Sequence, residues 1–82
     1  MLKVITDFNA ITPDNMCWIL EYEKMELAER IGELQLKKGD KIILHQDEDD
    51  FEVIATLDFK HVDMLKREAW VAIPDWGTLK RF

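Results

Sequence analysis

Cysteine, histidine, glycine and proline are all scarce in this chain of 82 residues, and each scarcity removes a class of explanation. A single cysteine, Cys17, leaves no internal disulfide and no cysteine cluster for zinc, which fits a reducing compartment. Three glycines and two prolines exclude a collagen-like repeat and a low-complexity linker. Two histidines, His45 and His61, stand far from Cys17 in sequence and offer little material for a histidine-assisted nucleophile. No stretch approaches the roughly 18 apolar residues of a membrane span, and Asp7 interrupts the first segment before a signal-length apolar run, so a cytoplasmic protein without a membrane partner is expected. Basic residues are outnumbered, 11 Lys and Arg against 17 Asp and Glu, for a net charge of -6. Such a surface repels phosphate backbones, so nucleic acid is not the expected partner.

What is present is apolar and strand-like. With 48% hydrophobic residues the chain has material for one core, and its length suits a single domain over residues 1–82. Phe51, Val53, Ala55, Leu57 and Phe59 alternate with Glu52, Ile54, Thr56 and Asp58, a period of two that predicts a strand with those five side chains turned inward. Lys41–Gln46 reads as a preceding strand, and Asp47-Glu48-Asp49-Asp50 between the two reads as the solvated tip of a hairpin. Ala69–Ile73 is a continuous apolar run of strand length, stopped by Pro74-Asp75-Trp76-Gly77 and followed by a candidate closing strand at 78–82. Leu2–Thr6 is a further strand candidate, and residues 61–68 read as a loop.

Residues 12–32 carry helical signals. Thr12-Pro13 resembles an N-cap followed by proline at the first helical position, Gly32 suits a position just past a helix end, and Glu26 and Arg30 form an i,i+4 pair. A helix is expected over 24–31, whereas residues 16–22 are apolar nearly all round and fit either a helix or a strand.

Three segments in order resemble Src homology 3 domains: Val4–Ala10 is similar to their opening strand, Leu34–Asp40 to the end of their long first loop, and Ile73-Pro74-Asp75-Trp76 to the turn before their last strand. The resemblance implies a fold that is mainly β, a small antiparallel barrel with one helical insertion near residues 24–31; the alternative is an α+β fold with a helix packed on an antiparallel sheet. It also implies an aromatic groove for proline-rich peptides, onto which Phe8, Pro74 and, by proximity, Trp76 carry over. The chain departs from the pattern in a longer connection between Ala10 and Leu34, in Phe51-Glu52 where the family has a tryptophan pair, and in Gly77 at the groove tyrosine.

The residues offer no catalytic constellation, and no enzyme is expected. The acidic tip fails the calcium-loop pattern, because counting from Asp47 puts Glu52 at the sixth position and Asp58 at the twelfth, where glycine and a bidentate glutamate belong. No metal and no cofactor is therefore expected. The expectation is a binding module for a protein or peptide, engaged through Phe8, Pro74 and Trp76, with Asp47, Asp49 and Asp50 favouring a basic partner. Two alternatives stand beside it: a small barrel binding RNA or single strands through Lys60, Lys66, Arg67, Lys80 and Arg81, and a homodimer or larger homo-oligomer formed by strand edges.

Overall fold

The computed structural model describes residues 1–46 and 50–82. The fold is mainly β, a six-stranded sheet in the order β3-β2-β1-β4-β5-β6, formed by β1 (Lys3–Ile5), β2 (Glu21–Tyr22), β3 (Met25–Glu26), β4 (Lys41–His45), β5 (Phe51–Val62) and β6 (Arg67–Arg81). The sheet is mixed and does not close into a barrel. β1 runs parallel to β4, pairing Val4 with Leu44, while every other pair is antiparallel. The expected antiparallel barrel is corrected in both respects. Among the described residues β3 and β6 are the sheet's edges, and the isolated bridges Cys17↔Ala72 and Ile11↔Cys17 extend beyond β6.

The alternation in β5 turns Val53, Ala55 and Leu57 into the main core with Val4, Ile42, Leu44, Leu20, Leu27 and Ala72. Phe51 and Phe59, expected to point the same way, lie at the ends of that row where the sheet runs out of cover; Phe51 is half-buried and Phe59 is 38% exposed. The continuous apolar run in β6 has a direct cause. Trp70 and Ala72 lie on the main core side, while Ala69 and Val71 face a smaller cluster with Met16 and Val62, so both faces of the strand are covered.

The helix expected over 24–31 does not form. Glu23 and Lys24 both adopt positive φ, 50° and 67°, and make a two-residue turn between the paired Tyr22 and Met25, so the chain there is a hairpin. A 3₁₀ turn follows at Leu27–Arg30, burying Leu27, and the coil ends at Gln35 (φ 55°), where Leu36 N–H donates to the Ile31 carbonyl. Gly32 is thus within the coil rather than past its end. Thr12-Pro13-Asp14-Asn15 is a turn and not a helix start: Asn15 takes φ 63°, and Met16 N–H donates to Thr12 Oγ1 at 3.1 Å. Residues 16–22 are neither long helix nor long strand. Residues 61–68, read as a loop, are half strand: a tight turn at 63–66, which Lys66 closes at φ 54°, joins the end of β5 to the start of β6. No helix among the described residues is long and apolar enough to cross a membrane.

Candidate functional site

β6 does not stop at Pro74. Each proline in a strand costs a ladder hydrogen bond unless its nitrogen faces away from the partner. That is the case here, because Ala72 exchanges both backbone hydrogen bonds with Cys17 on the side away from β5, and Pro74 shares its parity. Pro74, expected in the partner-binding surface with Phe8 and Trp76, is buried opposite Ala55 and lies beneath that surface.

Beyond Pro74 the strand bulges. From Asp75 to Lys80 β6 takes five residue steps where β5 takes two, from Ile54 to Glu52. Thr78 bridges the irregularity: its hydroxyl accepts from Ile54 N–H at 2.8 Å and donates to the Asp75 carbonyl at 2.7 Å. Asp75 Oδ1 in turn accepts from Gly77 N–H at 3.0 Å. A bulge re-aims side chains, and this one turns Trp76 outward with 44% of its surface exposed. The indole is nonetheless held: Nε1–H donates to Asn15 Oδ1 at 2.8 Å, and Asn15 Nδ2–H donates to the Pro74 carbonyl at 3.0 Å.

Phe8 meets Trp76 with ring centroids 5.6 Å apart, and Phe51 meets Phe8 at 5.1 Å. Phe8 is placed by a 3₁₀ turn (Phe8–Ala10) that Asp7 caps by accepting from Asn9 N–H, and by its own N–H donating to Gln46 Oε1 at 2.6 Å. The result is a tilted row of three rings, Phe51, Phe8 and Trp76, fixed by backbone-anchored polar contacts. Sequence reasoning placed Phe8 and Trp76 in one site and the structure brings them together. It missed Phe51, read as core from its alternation, and Asn15, whose only signal was its suitability for a left-handed turn.

Acidic groups border the row. Asp50 is exposed beside Phe51, and its carbonyl accepts from Phe82 N–H at 2.8 Å; Asp75 is exposed next to Trp76. Asp47 and Asp49, expected to add charge selectivity, lie outside the described residues. Arg81 sits over the Phe51 ring at 5.9 Å, the one cation in contact with the row among the described residues. The five cations considered for nucleic acid divide between opposite ends of the β5–β6 hairpin, Lys66 and Arg67 at its turn and Lys80 and Arg81 near the chain end, with Lys60 next to Asp58.

The other chemistry-bearing residues stand apart. Cys17 is fully buried, and burial pushes its thiol up to about 11. His45 pairs with Glu52 in the β4–β5 ladder, and His61 lies near the hairpin turn with Nε2 3.2 Å from Asp63. Among the described residues no three His, Cys, Asp or Glu side chains gather as a metal site would need.

Compared with protein-family models, with curated proteins and with solved structures, the chain finds no match.

Proposed function

We propose that this chain is a binding module, without catalytic activity of its own, that takes a protein or peptide partner on the row of Phe51, Phe8 and Trp76. The observation that carries the reading is Trp76 itself. A large ring left 44% exposed, yet fixed by a hydrogen bond to Asn15 and by contact with Phe8, has already lost most of its rotational freedom before any partner arrives. Such rings are the side chains on which interface energy concentrates. Asp50 and Asp75 on the border favour a basic partner and raise its association rate. A Src homology 3-like arrangement is the finer form of this proposal. It is supported by the early Phe8 and late Trp76 meeting across the sheet, and by the Cys17–Ala72 bridge, which ties the connection before β2 to the outer edge of β6.

The test is a titration with synthetic peptides of 10–12 residues, proline-containing and of graded lysine and arginine content, read by nuclear magnetic resonance of the indole N–H groups. The proposal expects the Trp76 indole to shift, affinity to rise with peptide charge and to fall as salt is added, and Trp76→Ala to weaken binding at least tenfold. Peptide-induced shifts that leave Trp76 unmoved, or binding indifferent to Trp76→Ala, would overturn it.

A further inference from the structure

A second surface shares no residue with the aromatic row. Between the free edge of β6 and the β2–β3 hairpin lies a slot of about 480 Å³, within the range of about 300–1,000 Å³ typical of ligand pockets. Trp18, Trp70 and Phe59 line it, with Phe59 and Trp70 in an edge-to-face pair at 5.5 Å. Ile19, Met25 and Phe59 are 36%, 46% and 38% exposed, so three of the molecule's exposed large apolar side chains converge on one place. Scattered apolar residues need no explanation, but a lined slot does.

The backbone defines what fits. Ala72 directs its N–H and C=O away from β5, and the register runs without a shift from Leu57↔Ala72 to Val62↔Arg67. Alternation then directs the N–H and C=O of Trp70 and Glu68 outward too. Neither residue pairs with another strand on that side; the Glu68 carbonyl receives only the guanidinium of its neighbour Arg67, at 3.2 Å. Two residues of unpaired strand edge, flanked by the exposed Phe59 and the half-buried Trp18 and Trp70, form a template for one more strand.

Charge narrows the choice further. Glu21 and Glu26 stand directly opposite each other across β2 and β3, a like-charge pairing that costs stability, and both line the slot. Neither they nor Glu68 forms an ion pair among the described residues, whereas Glu23, two positions after Glu21, is held by Arg30 at 2.7 Å; Lys24 and Arg67 also line the slot, which leaves its acidic side chains in excess by three to two. A cationic side chain laid between Glu21 and Glu26 relieves that repulsion. A second copy of the chain fits less well, because its own β6 carries β5 alongside and would meet the hairpin that forms the opposite wall of the slot.

We infer that the slot between β6 and the β2–β3 hairpin binds an extended peptide, which pairs with the outward N–H and C=O groups of Glu68 and Trp70 and presents a lysine or arginine to Glu21 and Glu26. The probe is the acetylated, amidated octapeptide Val-Lys-Val-Thr-Val-Lys-Val-Thr, titrated into the full chain. Saturable binding is expected, with shifts at the Trp18 and Trp70 indoles and slowed hydrogen exchange at the Glu68 and Trp70 amides. Glu68→Pro removes an outward N–H without touching the β5 ladder and lowers affinity at least tenfold. Glu68→Ala keeps that N–H and lowers affinity less than threefold, and Trp76→Ala, which tests the aromatic row, leaves it unchanged. If Glu68→Pro disturbs folding, the peptide carries the test: N-methylation of alternate amides abolishes binding in the register that faces β6 and spares it in the other. The inference is overturned by absence of saturable binding up to about 1 mM peptide, an affinity weaker than about -4 kcal/mol. It is equally overturned by indifference to the N-methyl register, by shifts confined to Trp76, or by light scattering that shows the free chain dimerised through β6.

Discussion

Replacing Lys24 by glycine should stabilise the protein, because lysine there sits at a φ of 67° that an L-residue adopts only at a steric cost. Glu23 and Lys24 form the two-residue turn between β2 and β3 with both φ values in the left-handed region, a geometry normally given to Asn-Gly or Gly-Gly. An L-residue there carries a steric penalty of about 1–2 kcal/mol that glycine escapes. Against that, glycine frees the unfolded chain, at a cost of about 0.4–1 kcal/mol. Lys24 itself has no hydrogen-bond or ion-pair partner among the described residues, in contrast to Glu23, which Arg30 holds. The net gain is about 0.8 kcal/mol, a rise in Tm of roughly 3–6 °C for a domain of this size. Thermal unfolding followed by circular dichroism, with Lys24→Ala as the control that keeps the strain, measures it. A Tm for Lys24→Gly at or below that of Lys24→Ala would refute the reasoning, and with it the hairpin that forms one wall of the slot.

Other expectations follow from burial and charge. Leu57→Ala, at the centre of the main core, should cost about 2–5 kcal/mol in urea unfolding, whereas Trp76→Ala, which loses one ring contact and one exposed hydrogen bond, should cost about 1–2 kcal/mol. Cys17 ionises near 9.0 when unfolded but is pushed up to about 11 by burial, so stability is full below pH 9 and falls by about 1.4 kcal/mol per pH unit as pH rises from 9 to 11; Cys17→Ala should flatten that limb in urea midpoints measured across the range. Asp58 accepts Phe59 N–H and faces Lys60 and Lys38, and Asp40 accepts Lys37 N–H and pairs with its ammonium, which holds both carboxyls below their ordinary 3.8. Their stabilisation is present above pH 4 and is lost as pH falls through the depressed values; Asp40→Asn with Asp58→Asn should lessen the drop in Tm below pH 4.

How much of this was legible in the sequence depended on the range of the interaction involved. The Val53-Ala55-Leu57 alternation and the unbroken Ala69–Ile73 run each reported local burial, on one face and on two, and both describe the strands as they are. The parallel pairing of β1 with β4 joins residues about forty positions apart and leaves no periodic trace. The helix over 24–31 failed because Glu23-Lys24 takes a turn normally marked by glycine or asparagine, so good helix formers there masked a hairpin. Phe51 and Phe59 follow the same alternation as the core, yet periodicity says which face a residue is on, not where the cover over that face ends. Phe8 and Trp76 were recognisable as candidates, but their meeting depends on the three extra residues of the β6 bulge, and the Asn15 contact that fixes Trp76 depends on a distant turn.

The aromatic row is tested most directly by one comparison: affinity of a basic, proline-containing peptide for the native chain and for Trp76→Ala, each at low and at high salt, with both proteins shown folded by circular dichroism. Binding at least tenfold weaker in the variant, and weaker for both at high salt, is what a prepositioned ring bordered by Asp50 and Asp75 predicts. Equal affinity of the two folded proteins would contradict it.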